Sequence, residues 1–107
     1  MSEFIRYLTE MFAEFGRVQF RKMFGGYGVF YDGLMIGLVA DEMLYLKADA
    51  HSAVRFRERD CAQFSYRKGE QQVSMSYYQA PPEVLEDPAE LAAWARSAFE
   101  VALRARR

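Results

Sequence analysis

His51 and Cys61 are the only candidates for a nucleophile–base pair, because the chain holds one histidine and one cysteine. A thiolate needs a nearby base or positive field to be populated at neutral pH. Asp60 precedes Cys61, and its charge raises a thiol pKa. His51 falls in the first turn of a polar helical stretch, where it is most simply solvated. One His and one Cys cannot fill four ligand positions around zinc. The acidic pairs Asp41–Glu42 and Glu86–Asp87 stand beside turn signals, where adjacent carboxylates do not straddle a substrate; solvation and helix capping account for them. Gly25–Gly26–Tyr27–Gly28 invites a phosphate-cradle reading, but such a cradle leads from a strand into a helix. Here a strand pattern follows, and no Lys-Ser or Lys-Thr pair closes the loop. These glycines read as a bend, a bulge or a tight turn. The residues thus supply no catalytic, cofactor-binding or metal-ligating set.

Basic side chains are more clustered than the formal charge of -1 suggests. They group as Arg17, Arg21 and Lys22; Arg55, Arg57 and Arg59; Arg67 and Lys68; and Arg104, Arg106 and Arg107. Tyr66, Tyr77 and Tyr78 are interleaved with them. Arg and Tyr are what protein–protein hot spots favour, and Tyr also stacks on nucleic-acid bases. Arg21, Lys22, Tyr27, Arg67 and Tyr78 are therefore candidate partner-binding residues.

Those side chains must be positioned by elements whose periods the sequence displays. Phe4, Ile5, Leu8, Met11, Phe12 and Phe15 recur at helical spacing after Ser2, a plausible N-cap, and Gly16 closes the stretch. From Arg17 to Lys47 the period becomes 2. Asp32–Gly33 between two apolar runs is a strong hairpin signal, and Asp41–Glu42 marks a further turn. Leu34 to Val39 is apolar on both faces, which predicts a central strand. Simple alternation aims Lys22 into the core, so the strand is bulged there or Lys22 lies at an edge with its ammonium snorkelling out. Asp49 can cap a short surface helix reaching Arg59. Two strands follow, from Phe64 to Arg67 and through Val73, Met75 and Tyr77, until Pro81 and Pro82 end the second. Asp87–Pro88 then opens a helix with an apolar stripe through Leu91, Trp94, Ala98 and Ala102. Glu100 and Arg104 are spaced to pair on its wet side. The expected fold is α+β: a single antiparallel sheet of five to six strands, with N-terminal, middle and C-terminal helices packed on it.

At 107 residues, 51% of them hydrophobic, the chain fits one domain with a real core. A near-neutral balance argues against a general nucleic-acid binder. The longest apolar stretch, Leu34 to Ala40, is far below the ~20 residues that span a bilayer. A single cysteine and an acidic start without a signal-peptide pattern point to a cytoplasmic protein with no membrane partner.

Arg21–Lys22–Met23–Phe24–Gly25–Gly26–Tyr27–Gly28, the Asp32–Gly33 hairpin and Leu44–Tyr45–Leu46–Lys47–Ala48–Asp49, taken together, resemble the N-terminal domain of the TfoX/Sxy competence regulators. Phe64–Ser65–Tyr66, Met75–Ser76–Tyr77–Tyr78, Leu85–Glu86–Asp87 and the Trp94-bearing helix agree, so the resemblance runs from about Phe4 to Ala98. It marks Met23, Phe24, Gly25, Gly26, Gly28, Asp32, Gly33 and Trp94 as structural motif positions. It implies a bacterial α+β domain with no catalytic residues to carry over. Two-domain family members are linked to competence-gene expression together with a cyclic-AMP receptor-type regulator. The chain stops where the N-terminal domain stops, and the expectation is a stand-alone form without the second, helical domain.

Two functions compete on this basis. One is a non-enzymatic regulatory or adaptor domain that contacts a protein partner, such as a transcription regulator. Its free sheet edges would allow a homodimer, and alone it would have no strong sequence-specific affinity for DNA. The other is a small-molecule-binding domain or an enzyme using a pocket between sheet and helices, with Tyr and Arg as the polar groups.

Overall fold

The computed structural model describes residues 2–23 and 25–106, so Met1, Phe24 and Arg107 lie outside the described residues. Helix α1 (Glu3–Met11) begins where Ser2 Oγ accepts from the Ile5 N–H at 3.1 Å. It buries Ile5, Leu8 and Met11, then tightens into a 3-10 turn over Phe12–Glu14 instead of staying α-helical to Phe15. Four strands follow: β1 (Gln19–Met23), β2 (Gly26–Tyr31), β3 (Leu34–Ala40) and β4 (Met43–Lys47). After the short helix α2 (Ala53–Arg57) come β5 (Gln63–Lys68) and β6 (Gln71–Gln79). A 3-10 turn over Pro82–Glu86 leads into helix α3 (Pro88–Ala105), capped by Asp87 Oδ1 accepting from the Ala89 and Glu90 N–H groups.

The six strands form one open antiparallel sheet in the order β1-β2-β3-β4-β6-β5, and the fold is α+β. Two-residue turns set the register. Asp32 and Gly33 join β2 to β3 with φ of 50° and 80°, and Asp41 and Glu42 join β3 to β4 with 52° and 57°. Positive φ at both central residues is the turn whose twist matches a right-handed hairpin. The β1–β2 register is unbroken from Gln19 to Met23, so Lys22 sits on an edge strand with no bulge, and its side chain is exposed. The bulge falls instead in β3, where Val29 faces Gly37 and Phe30 faces Met35, leaving Ile36 as the extra residue. Ile36 and Gly37 are consequently both buried in the central strand.

All three helices pack on one face. Their buried residues join Val29, Ile36, Val39, Leu44, Leu46 and Tyr78 in a single core cluster. Helix α2 corrects the sequence reading in length and in burial. It spans five residues, and Asp49 acts one turn ahead of it: Asp49 Oδ1 accepts from Ser52 N–H at 2.8 Å while Ser52 Oγ accepts from Asp49 N–H at 3.0 Å. Ala53 and Phe56, three positions apart, suffice to bury one face of so short a helix, and Phe56 is among the fully buried side chains. Its ring stacks on Tyr78 at 5.5 Å and meets Trp94 edge-on at 5.1 Å. Arg104 does not pair with Glu100; its guanidinium donates to Asp49 Oδ2 at 2.9 Å, tying the end of α3 to the end of β4.

Two substitutions probe these constraints. A Cβ added at Gly26 would collide with the carbonyl oxygen of Val39, a backbone atom that cannot yield cheaply. Gly26→Ala is expected to lower stability by about 1–3 kcal/mol in chemical denaturation; an unchanged midpoint contradicts the close approach. The Asp49 carboxyl is held well below the usual carboxylate range, first by the Ser52 N–H and then by the Arg104 guanidinium. A depressed folded pKa gives stability that is full above the unfolded value of about 4 and is lost as pH falls below it. The urea midpoint of Asp49→Asn is therefore expected below wild type at neutral pH, with the gap closing on acidification. A constant gap contradicts the ion pair.

Candidate interaction surface

None of the fifteen acidic residues stands on a strand, whereas Arg21, Lys22, Lys47, Arg67 and Lys68 do. The near-zero total charge thus hides a segregation, with acids confined to turns and helices and the sheet carrying only cations. On the face turned away from the helices, Arg21 lies over the Phe30 ring at 4.6 Å and Lys47 over Tyr77 at 5.0 Å. Such stacking holds the charged ends against apolar surface without neutralising them.

That face is apolar between its cations, and it is curled. Met23 of β1, Met35, Leu38 and Ala40 of β3, and Phe64 of β5 line one small cavity of about 20 Å³. Side chains from the two edge strands therefore approach across the sheet, and Leu38 is only 6% exposed although no helix covers it. Toward the β5 edge the face opens. Tyr45 meets Phe64 edge-on at 5.1 Å, and Phe64 and Tyr66 lie 6.4 Å apart. The Tyr45 hydroxyl donates to Met43 Sδ at 3.9 Å. Met43 and Tyr66 are each 42% exposed, among the most exposed large apolar side chains described. A groove of about 390 Å³ is bounded by Phe64, Tyr66, Arg67 and Met75.

The five candidate partner residues do not share one surface. Arg21 and Lys22 are exposed on the β1 edge, and Arg67 is exposed on the β5–β6 hairpin at the opposite end of the sheet. Tyr27 is half-buried toward α1, beside Ile5, Val18 and Phe20. Tyr78 is a core residue, buried under Phe56 with only a 3.5 Å contact from Arg57 Nη1 at its hydroxyl. Alternation along β6 explains the difference: Tyr78 pairs with core-facing Leu46, while Tyr77 pairs with Lys47 on the other face. Sequence reasoning missed Met43, Phe64, Tyr66 and Met75 as a group. The signal available was the absence of acids from every period-2 segment.

The described glycines of the motif stand where a positive φ or a close approach favours a residue without a Cβ. Gly25 has φ 77° in the β1–β2 turn, Gly28 lies beneath Met23 and Phe30, and Trp94 is buried against Phe56. His51 and Cys61 stand at opposite ends of α2 and form no pair. No group of three or more His, Cys, Asp or Glu among the described residues is placed to hold a metal ion. Nor is any described helix long and apolar enough to cross a membrane.

The TfoX N-terminal domain profile matches residues 10–102. The chain belongs to this family. DNA transformation protein TfoX1 of Aliivibrio fischeri (strain ATCC 700601 / ES114) is 32% identical over 98 residues, covering 88% of this chain and 47% of that protein. Protein Sxy of Escherichia coli (strain K12) is 25% identical over 95 residues, 89% of this chain and 46% of the other. The chain spans about half the length of these curated relatives.

Within this family domain Cys61 offers a chemical check. Burial pushes its thiol pKa up, Glu83 and Asp60 push the same way, and only Arg59 opposes them. Since the thiolate is the reactive form, iodoacetamide is expected to label the native chain more slowly than the urea-unfolded chain at the same neutral pH. Faster labelling in the native state would mark an activated thiol.

Proposed function

We propose that this chain is a non-enzymatic regulatory domain of the DNA-transformation type, acting in the cytoplasm by docking the helix-free face of its sheet onto a protein. The observation that carries this reading is the acid-free sheet. A sheet without a strand carboxylate, whose helix-free face carries Arg21 and Lys47 beside exposed Met and Tyr side chains, complements an acidic, partly apolar protein surface. Tyr66 and Arg67 are the expected anchors, since aromatic residues and Arg dominate interface energetics. The partner class we assign is a transcription regulator, which is what the resemblance to the competence regulators implies. The non-enzymatic part rests on the separation of His51 from Cys61 and on the raised thiol pKa. The exposed β1 edge gives a second copy a place to pair, and a homodimer formed there leaves the β5 end free.

Direct recognition of DNA is not part of this reading. Duplex affinity comes largely from releasing counterions from several phosphates, which needs a dense positive surface. Here the strand cations are split among β1, β4 and β5, and the exposed side of α3 with its C-cap mixes Arg96 and Arg106 with Glu90 and Glu100.

The test is affinity capture with wild-type chain and a Tyr66→Glu/Arg67→Glu variant, followed by binding measurements on the captured transcription regulator. Loss of at least about tenfold in affinity, with thermal stability unchanged, is the expected outcome. Undiminished binding by the variant overturns the surface assignment. Sub-micromolar, sequence-selective binding of a promoter duplex by the isolated chain at physiological salt, read by fluorescence anisotropy, overturns the protein-contact reading itself.

A further inference from the structure

On the helix side, away from the sheet face, two guanidinium groups share one indole. The Arg55 guanidinium carbon stands 3.9 Å from the Trp94 ring centroid and that of Arg59 stands 5.2 Å from it. Arg59 is provided for: its Nε faces Glu83 at 3.8 Å, and its Nη1 donates to the Arg55 carbonyl at 3.3 Å. Arg55 is not. Its Nε is shielded from solvent and donates to no group, and Arg55 has no ion pair among the described residues. Burial and the neighbouring Arg59 charge both disfavour its protonated form. Stacking on the indole uses the flat face of a guanidinium and leaves edge donors for a planar oxyanion.

Arg55 borders a depression of about 350 Å³ between α2 and α3, lined also by His51, Ser52, Val54, Glu58 and Ser97. That volume is in the range of small-molecule sites. Glu58 follows Arg55 by three positions, a spacing at which side chains on one helical face are neighbours. The two nevertheless make no ion pair within 4 Å, because Arg55 is laid against Trp94. The rim thus presents one cation and one anion side by side, each free of the other, with two serine hydroxyls nearby.

We propose that this depression binds a free α-amino acid by its charged main-chain groups, the Arg55 fork taking the carboxylate and Glu58 the ammonium. A simple anion is disfavoured by Glu58 and a simple amine by Arg55, so the pair selects a zwitterion. Ser52 and Ser97 supply hydroxyl donors to the same carboxylate. Val54, 44% exposed at the rim, gives an aliphatic side chain a surface to lie on.

Trp94 is the only tryptophan, so its fluorescence reports directly on the stacked Arg55. The full chain is screened against the twenty amino acids at about 10 mM by thermal shift, because a ligand of the native state raises apparent stability. The best amino acid is then titrated by Trp94 fluorescence at fixed ionic strength, beside acetate, inorganic phosphate and methylammonium. Saturable binding of at least one amino acid, with all three simple ions at least about tenfold weaker, is expected from two charge-assisted contacts against one. Arg55→Lys keeps the charge but loses the fork and is expected to weaken amino-acid binding by about tenfold or more. Glu58→Gln, on an exposed side chain that stabilises no described contact, is expected to weaken the amino acid while leaving acetate unchanged or tighter. No response to any amino acid overturns the proposal. So does acetate or phosphate binding as tightly as the amino acid, or Glu58→Gln binding it as wild type does.

Discussion

Phe56 is a single side chain on a five-residue helix, and the arrangement of the whole helix layer turns on where it goes. A helix that short has no stability of its own in water. It exists because Phe56 is clamped between Tyr78 of β6 and Trp94 of α3 while Ala53 lets the backbone approach. The same clamp fixes the path between β4 and the β5–β6 hairpin. With α2 pinned over β6, that hairpin enters the sheet with β6 beside β4 and β5 outermost. The exposed edge at β5, the groove beside Tyr66, and the stacking of Arg55 on Trp94 all follow from that placement.

A second constraint is electrostatic. Fifteen acids and fourteen Lys and Arg nearly cancel, and a net-charge argument then predicts no preference among partners. The fold undoes the cancellation by putting acids where turns and helix starts want them. Asp32 and Asp41 occupy positive-φ turn positions, Asp49 and Asp87 accept backbone N–H groups ahead of helices, and Glu3 and Glu90 sit in first turns. Each of these roles is local and structural. What remains for the strands is basic. Segregation of charge is thus a by-product of capping and turn chemistry, and it leaves the sheet with a field that composition conceals.

Features governed by local rules were legible from the residues. The Asp32–Gly33 turn, the Ser2 and Asp87–Pro88 caps, the central position of β3 and the end of β6 before the prolines each depend on a few neighbouring side chains. Features governed by distant partners were not. Phe56 looked like one apolar residue in a polar helix because its partners are 22 and 38 positions away, at Tyr78 and Trp94. Tyr78 looked like a surface hot-spot residue beside basic neighbours, and only pairing with Leu46 shows which way it faces. Lys22 was ambiguous because a period of 2 gives its face but not how far α1 reaches. The curl that brings Met23 and Phe64 to one cavity depends on twist accumulated over six strands, which no single segment encodes. The same division holds at the candidate sites: the cations and the acid-free runs between turns are visible in the residues, whereas the face each cation takes and the Arg55–Trp94 stack are not.

The sheet face and the α2–α3 depression meet at β6, where Tyr78 faces Phe56 while Tyr77 faces Lys47 on the other side. Contiguity of this kind is not energetic coupling, which requires an element with two arrangements that both sites bias. Among the described elements α2 is the one that lies between the two, and it is held at three points. Its start is fixed by the reciprocal Asp49–Ser52 bonds, its middle by Phe56, and its end by Asp60 at φ 56° with the Cys61 N–H donating to the Phe56 carbonyl at 2.9 Å. Arg104 adds a tie from α3 to Asp49 itself. Moving α2 breaks several of these together, whereas a ligand on Arg55 and Glu58 engages side chains at its rim without displacing the backbone. A ligand in the proposed helix-side depression and a partner on the proposed sheet face are therefore expected to bind independently of one another.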